Sequence, residues 1–107
     1  MSTDYGKLTA NLIKARVAAE KAAEGEDGGT ASLDTMTISL PNARENKVIE
    51  AVEKAGLSCS KIEWLGPRYF IYPPKCGQGN SRNRAVEAMT QVMRETGYDV
   101  LVYYKID

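Results

Sequence analysis

Hydrophobic and polar positions divide the chain into seven stretches with two different periods. In residues 5 to 23, Tyr5, Leu8, Leu12, Ala15, Ala19 and Ala22 recur three and four apart, which predicts a helix with one thin apolar stripe. The segment is rich in Ala, Lys, Glu and Leu, all strong helix formers. Residues 35 to 40 alternate Thr35, Thr37 and Ser39 with Met36, Ile38 and Leu40, the pattern of a half-buried strand. Pro41-Asn42 stops that strand, and Asn42 with Glu45 three residues on resembles a capping box. A second helix is expected to follow, with Val48, Ile49, Val52 and Ala55 on one stripe and Gly56 as its left-handed end. Residues 59 to 65 and 68 to 72 read as two strands joined by a tight turn at Gly66-Pro67, the second ended by Pro73-Pro74. Ala85, Val86, Met89, Val92 and Met93 mark a third helix closed by Gly97, and residues 99 to 106, rich in Val and Tyr, form the last strand.

Between the first helix and the first strand lies Glu24-Gly25-Glu26-Asp27-Gly28-Gly29-Thr30-Ala31-Ser32, with no large apolar residue. Such a segment has nothing with which to pack. The expected organisation is therefore an N-terminal helix in residues 1–24, a flexible linker in 25–32 and one domain in 33–107. Within that domain the order is strand, helix, strand, strand, helix, strand. This order predicts an α+β, ferredoxin-like split βαββαβ fold: an antiparallel four-stranded sheet, two helices on one face, and the first and third strands central.

Strand parity then assigns the residues of the face that those two helices leave open. A two-residue turn at Gly66-Pro67 pairs Trp64 with Tyr69, Ile62 with Ile71 and Lys61 with Tyr72, and it sets Cys59 opposite Pro74. Ile62, Trp64, Tyr69 and Ile71 fall on the helix side in this register. Lys61, Glu63, Leu65, Arg68, Phe70 and Tyr72 fall on the open side, joined by Thr35, Thr37 and Ser39 and by Leu101, Tyr103 and Lys105. The candidate binding residues of the sheet face are Lys61, Leu65, Arg68, Phe70, Tyr72 and Tyr103.

Aromatic side chains on a central strand, among basic ones, resemble the platform of RNA-recognition-motif domains, where bases stack on the sheet. The resemblance implies single-stranded nucleic-acid binding through Phe70 and Tyr72. It is one of fold and placement: the family's basic-Gly-aromatic consensus is absent, and Thr35 and Thr37 stand where the first strand would carry an aromatic. The competing expectation is that the Leu8–Leu12 stripe, or a second copy of the chain, covers this apolar face.

Charge adds a second candidate. The 14 basic and 14 acidic residues cancel, but five of the basic ones, Lys61, Lys75, Arg68, Arg82 and Arg84, sit in residues 61 to 84 beside a single acid, Glu63. Lys75, Gly77, Gly79, Asn80, Ser81, Arg82 and Arg84 form a Gly-rich, basic entry to the third helix, where free N–H groups attract anions. It lacks the Gly-Lys-Ser/Thr ending of a Walker loop. The alternative is a purely structural turn, with Asn80 or Ser81 capping the helix.

The chain has no histidine and only two cysteines, Cys59 and Cys76. That removes the commonest general base and leaves too few thiols for a zinc site or a disulfide framework. No cofactor, metal or catalytic residue is expected, and no stretch is apolar enough to cross a membrane. The sequence thus predicts a small cytoplasmic, non-catalytic binding or regulatory module. Its expected partner is a protein or a second copy, with nucleic acid as the alternative. The size also fits an accessory protein of a mobile element.

Overall fold

The computed structural model describes residues 3–25, 33–74 and 79–105. The elements are α1 (Tyr5–Ala22), β1 (Thr35–Ser39), α2 (Glu45–Lys54), β2 (Ser58–Glu63), β3 (Pro67–Tyr72), α3 (Asn80–Glu95) and β4 (Asp99–Tyr103). The four period-two segments form one antiparallel sheet in the order β2-β3-β1-β4. The result is an α+β architecture, and its strand order is consistent with a ferredoxin-like fold. Of the expected linker only Gly25 belongs to the described residues.

Alternation along the strands builds the core. Met36, Ile38, Tyr69, Ile71 and Val100 point to one side and are buried there with Val48, Ala51 and Val52 of α2 and Ala85, Val86, Met89 and Met93 of α3. Gly56 and Gly97 end the two helices at φ 82° and 95°, left-handed values that suit a residue without Cβ. The predicted N-caps are not made. Helix α2 starts one turn past Asn42, with Arg44 at its N-cap and the Arg44 N–H donated to the Tyr5 hydroxyl at 2.9 Å. Helix α3 starts at Asn80 with Gly79 as N-cap, and neither Asn80 nor Ser81 caps it.

Two larger expectations are corrected. The first concerns α1, which does not cover the open face. Its N-terminus is capped by Asp4, whose carboxylate accepts the Lys7 N–H at 2.9 Å. Its stripe of Leu8, Leu12, Ala15 and Ala19 is fully buried in the same core as the other helices. The helix packs on α3 and α2, not on the sheet. The Thr9 hydroxyl donates to the Ala51 carbonyl at 3.1 Å, and Asn11 Nδ2 approaches the Tyr98 hydroxyl at 3.4 Å. All three helices therefore lie on one side.

The second correction is the β2–β3 register. Glu63 pairs with Pro67, Ile62 with Arg68, Lys61 with Tyr69 and Cys59 with Ile71, so the loop holds three residues, Trp64, Leu65 and Gly66. Proline has no N–H to donate and is tolerated as the first residue of a strand. Pro67 takes that place instead of the turn. The slip from the expected pairing is three residues, an odd number, and an odd slip exchanges the faces of β2. Ile62 and Ser60 move to the open face, and Lys61 moves to the helix side.

Candidate interaction face

The open face is built from three rows across the sheet. One row holds Ile62, Arg68, Ser39 and Asp99; the next Ser60, Phe70, Thr37 and Leu101; the last Ser58, Tyr72, Thr35 and Tyr103. Among the described residues no helix lies on it, yet its centre is not exposed: Thr37 is 0% accessible, Arg68 5% and Phe70 6%. Aromatic side chains account for this. Trp64 folds back from the hairpin loop and Tyr103 leans in from the edge strand, meeting edge to face at 5.0 Å. Both pack on Phe70, with centroids 5.9 and 5.3 Å from its ring, within the range in which tilted and edge-on aromatic pairs attract.

Beneath this cluster, polar groups satisfy one another. Arg68 Nε donates to Thr37 Oγ1 at 2.9 Å, and Thr37 Oγ1 donates to the Leu101 carbonyl at 2.9 Å. Arg68 Nη2 donates to the Asp99 carbonyl at 3.1 Å and lies 3.5 Å from the Asp99 carboxylate. The guanidinium thus crosses β1 and ties β3 to β4. A buried charge is tolerable only with such partners. Around the cluster apolar side chains remain accessible, Ile62 on β2 at 40%, Leu101 on β4 at 40% and Leu65 at the loop tip at 72%, beside the exposed polar Ser58 and Asp99. Leu65 adopts φ 56°, a left-handed conformation unusual for a bulky residue.

Of the residues expected on this face, Arg68, Phe70, Tyr72 and Tyr103 are there. Leu65 caps the hairpin at its rim. Lys61 is not: its Nζ stands 3.9 Å from Glu45 of α2 and 5.6 Å from the Tyr69 ring centroid, on the helix side. Sequence reasoning missed Trp64 and Ile62, because both were assigned through the wrong register. The usable signal was Pro67, which fits a strand start and leaves room for a three-residue loop.

The second candidate, the basic entry to α3, is partly outside the described residues, which include neither Lys75 nor Gly77. Arg82 and Arg84 are within them and serve the fold. Arg82 Nε donates to the Asp34 carbonyl at 2.9 Å, and Arg84 Nε to the Ala22 carbonyl at the end of α1 at 2.8 Å. Buried Asp34 accepts from Asn83 Nδ2 at 2.8 Å and from the Lys105 N–H at 2.9 Å. These contacts fasten the ends of β1, β4 and α1 to α3. The local basic excess is therefore largely committed to carbonyl and carboxylate oxygens.

Elsewhere the chemistry is sparse. Cys59 faces the helix side opposite Ile71, not Pro74. Burial, reinforced by the nearby Glu53 and Glu45 carboxylates, pushes its thiol up to about 11, the reverse of what activates a nucleophile. An open depression of about 320 Å³ between α1 and α2 is lined by Tyr5, Thr9, Lys47, Glu50, Ala51 and Lys54. The Thr9 hydroxyl is already bonded to Ala51, and Glu50 pairs with Lys54 at 3.1 Å. Among the described residues no group of Cys, Asp and Glu is arranged to hold a metal ion, and no helix is long and apolar enough to cross a membrane. No protein-family model, curated protein or solved structure matches the chain.

Proposed function

We propose that the chain is a non-catalytic interaction module of ferredoxin-like topology that docks protein on its open sheet face. The observation that carries this reading is an aromatic cluster, Trp64, Phe70 and Tyr103, rimmed by accessible Ile62, Leu65 and Leu101 on a face that no element of the described fold covers. A rigid apolar centre with polar neighbours is the usual anatomy of a protein interface. Base stacking needs a free ring face beside free basic side chains. Phe70 is buried by its aromatic neighbours, Arg68 is bonded within the sheet, and Lys61 lies behind it. These facts favour protein over nucleic acid.

A photoreactive benzoylphenylalanine at position 101, compared in cells with one at exposed Ala10 on α1, tests the reading. Expected are discrete protein adducts from position 101 and none from position 10. Equal yields from both positions, or adducts of nucleic acid, would overturn it.

A further inference from the structure

Resting on that docking reading, we infer that the occupant of the open face is a second copy of this chain, packed sheet against sheet about a two-fold axis that crosses the strands. Charge is the first reason. In an isologous contact every residue meets the same patch of its twin, so a face bearing net charge would repel itself. Here the one charged pair on the face, Arg68 and Asp99, neutralises itself at 3.5 Å. Ser58, Ser60, Thr35, Thr37, Ser39 and the apolar residues are uncharged, which leaves Lys105, past the end of β4, as the one further charge that the twin must meet.

The second reason is where the outer charges lie. Asp99 opens β4 with a largely exposed carboxylate, 69% accessible. Lys105 follows the strand at the other end, on the same parity, its carbonyl accepting the Leu33 N–H at 2.8 Å. A two-fold axis across the strands lays β4 antiparallel over β4 of the second copy. Asp99 then approaches Lys105 of that copy at each end, and Leu101 approaches its Tyr103 between them. The same patch supplies both halves of the complementarity.

Size sets the strength. Four strands about 4.8 Å apart, each five or six residues at about 3.3 Å, give a face of roughly 19 by 17 Å. Even with the projecting hairpin, that is below the roughly 800 Å² per partner of a standard interface. The pair is accordingly weak and reversible, not obligate.

Sedimentation of the purified full chain across a concentration series tests this. The weight-average mass is expected to rise from 11.7 kDa toward twice that value. Leu101→Asp should abolish the rise, and Lys105→Glu, an exposed position that cannot disturb the core, should weaken association about tenfold. Amide spectra with unchanged dispersion confirm that both variants are folded. A wild type that keeps the mass of one chain at high micromolar concentration overturns the second-copy inference. If the position-101 probe still captures a different protein, the docking reading survives alone. A dimer indifferent to both substitutions forms elsewhere and overturns the inference equally.

Discussion

The two faces of the same sheet both have buried centres, by opposite chemistry. On the helix side Met36, Ile38, Tyr69, Ile71 and Val100 disappear under three helices, and the favourable term is apolar area removed from water. On the other side Thr37, Arg68 and Phe70 are equally inaccessible beneath nothing thicker than the rings of Trp64 and Tyr103. There the inaccessible polar groups are held by hydrogen bonds among themselves. A face without a helix is therefore not the same as an exposed face. The helix side is a collective structure of many apolar side chains buried together. The sheet side depends on a few individual contacts, each of which can be removed alone.

The sharpest way to break this contrast is Leu12→Ala. Leu12 lies on α1 and is fully buried, so truncation should cost about 2 to 5 kcal/mol, the range for buried leucines. Urea denaturation followed by circular dichroism measures it. A cost near zero would mean that α1 is a detachable appendage after all.

The sheet side should respond less. Arg68→Ala removes the bonds to Thr37 and to Asp99 and the stem that packs under the aromatic cluster. An expected loss of about 1.5 to 3 kcal/mol follows from a hydrogen-bonded charged group. Its signature is local: the near-ultraviolet dichroism of Trp64 should change while the far-ultraviolet spectrum holds. Loss of helix signal as well would show that the two faces are one cooperative unit.

How much of this was legible beforehand depended on the range of each signal. Periods of 3.6 and 2 located all seven elements, and Gly56 and Gly97 marked two helix ends, because those signals are local. The alternation of β1, β3 and β4 correctly put Thr37, Phe70 and Tyr103 on one face. Register was not local in the same way. Gly66-Pro67 resembled a complete turn, and only the fitness of Pro67 as a strand start pointed instead to the three-residue loop before it. That error moved Trp64 from the candidate face, where it covers Phe70, into a fictitious core. The Leu8–Leu12 stripe announced that α1 must pack, but the sequence reading left only the open sheet to receive it, whereas the stripe joins the core on the helix side. Charge counting could not foresee that Arg82 and Arg84 are bound to carbonyl oxygens.

The smallest expected effect has the opposite sign and comes from the helix side. The Tyr69 ring is buried, 2% accessible, and its hydroxyl has no hydrogen-bond partner among the described residues. Burial, with Glu45 nearby, pushes the phenol above its ordinary range, so it remains neutral and simply unsatisfied. A buried donor without a partner is destabilising, and replacing it by an apolar group of the same shape removes that penalty. Tyr69→Phe should therefore stabilise the fold by about 1 kcal/mol, seen as a shift of the urea midpoint to higher concentration at constant slope. The raised phenol makes a second, pH-dependent statement. With its folded value above its unfolded one, its contribution is fully present below the unfolded value and is lost as pH rises through the folded value. The wild type should accordingly lose stability in strong alkali more steeply than Tyr69→Phe. A variant less stable than wild type at neutral pH would show that the hydroxyl does have a partner, such as a buried water. The helix side would then contain a polar contact of the kind that holds the other face together.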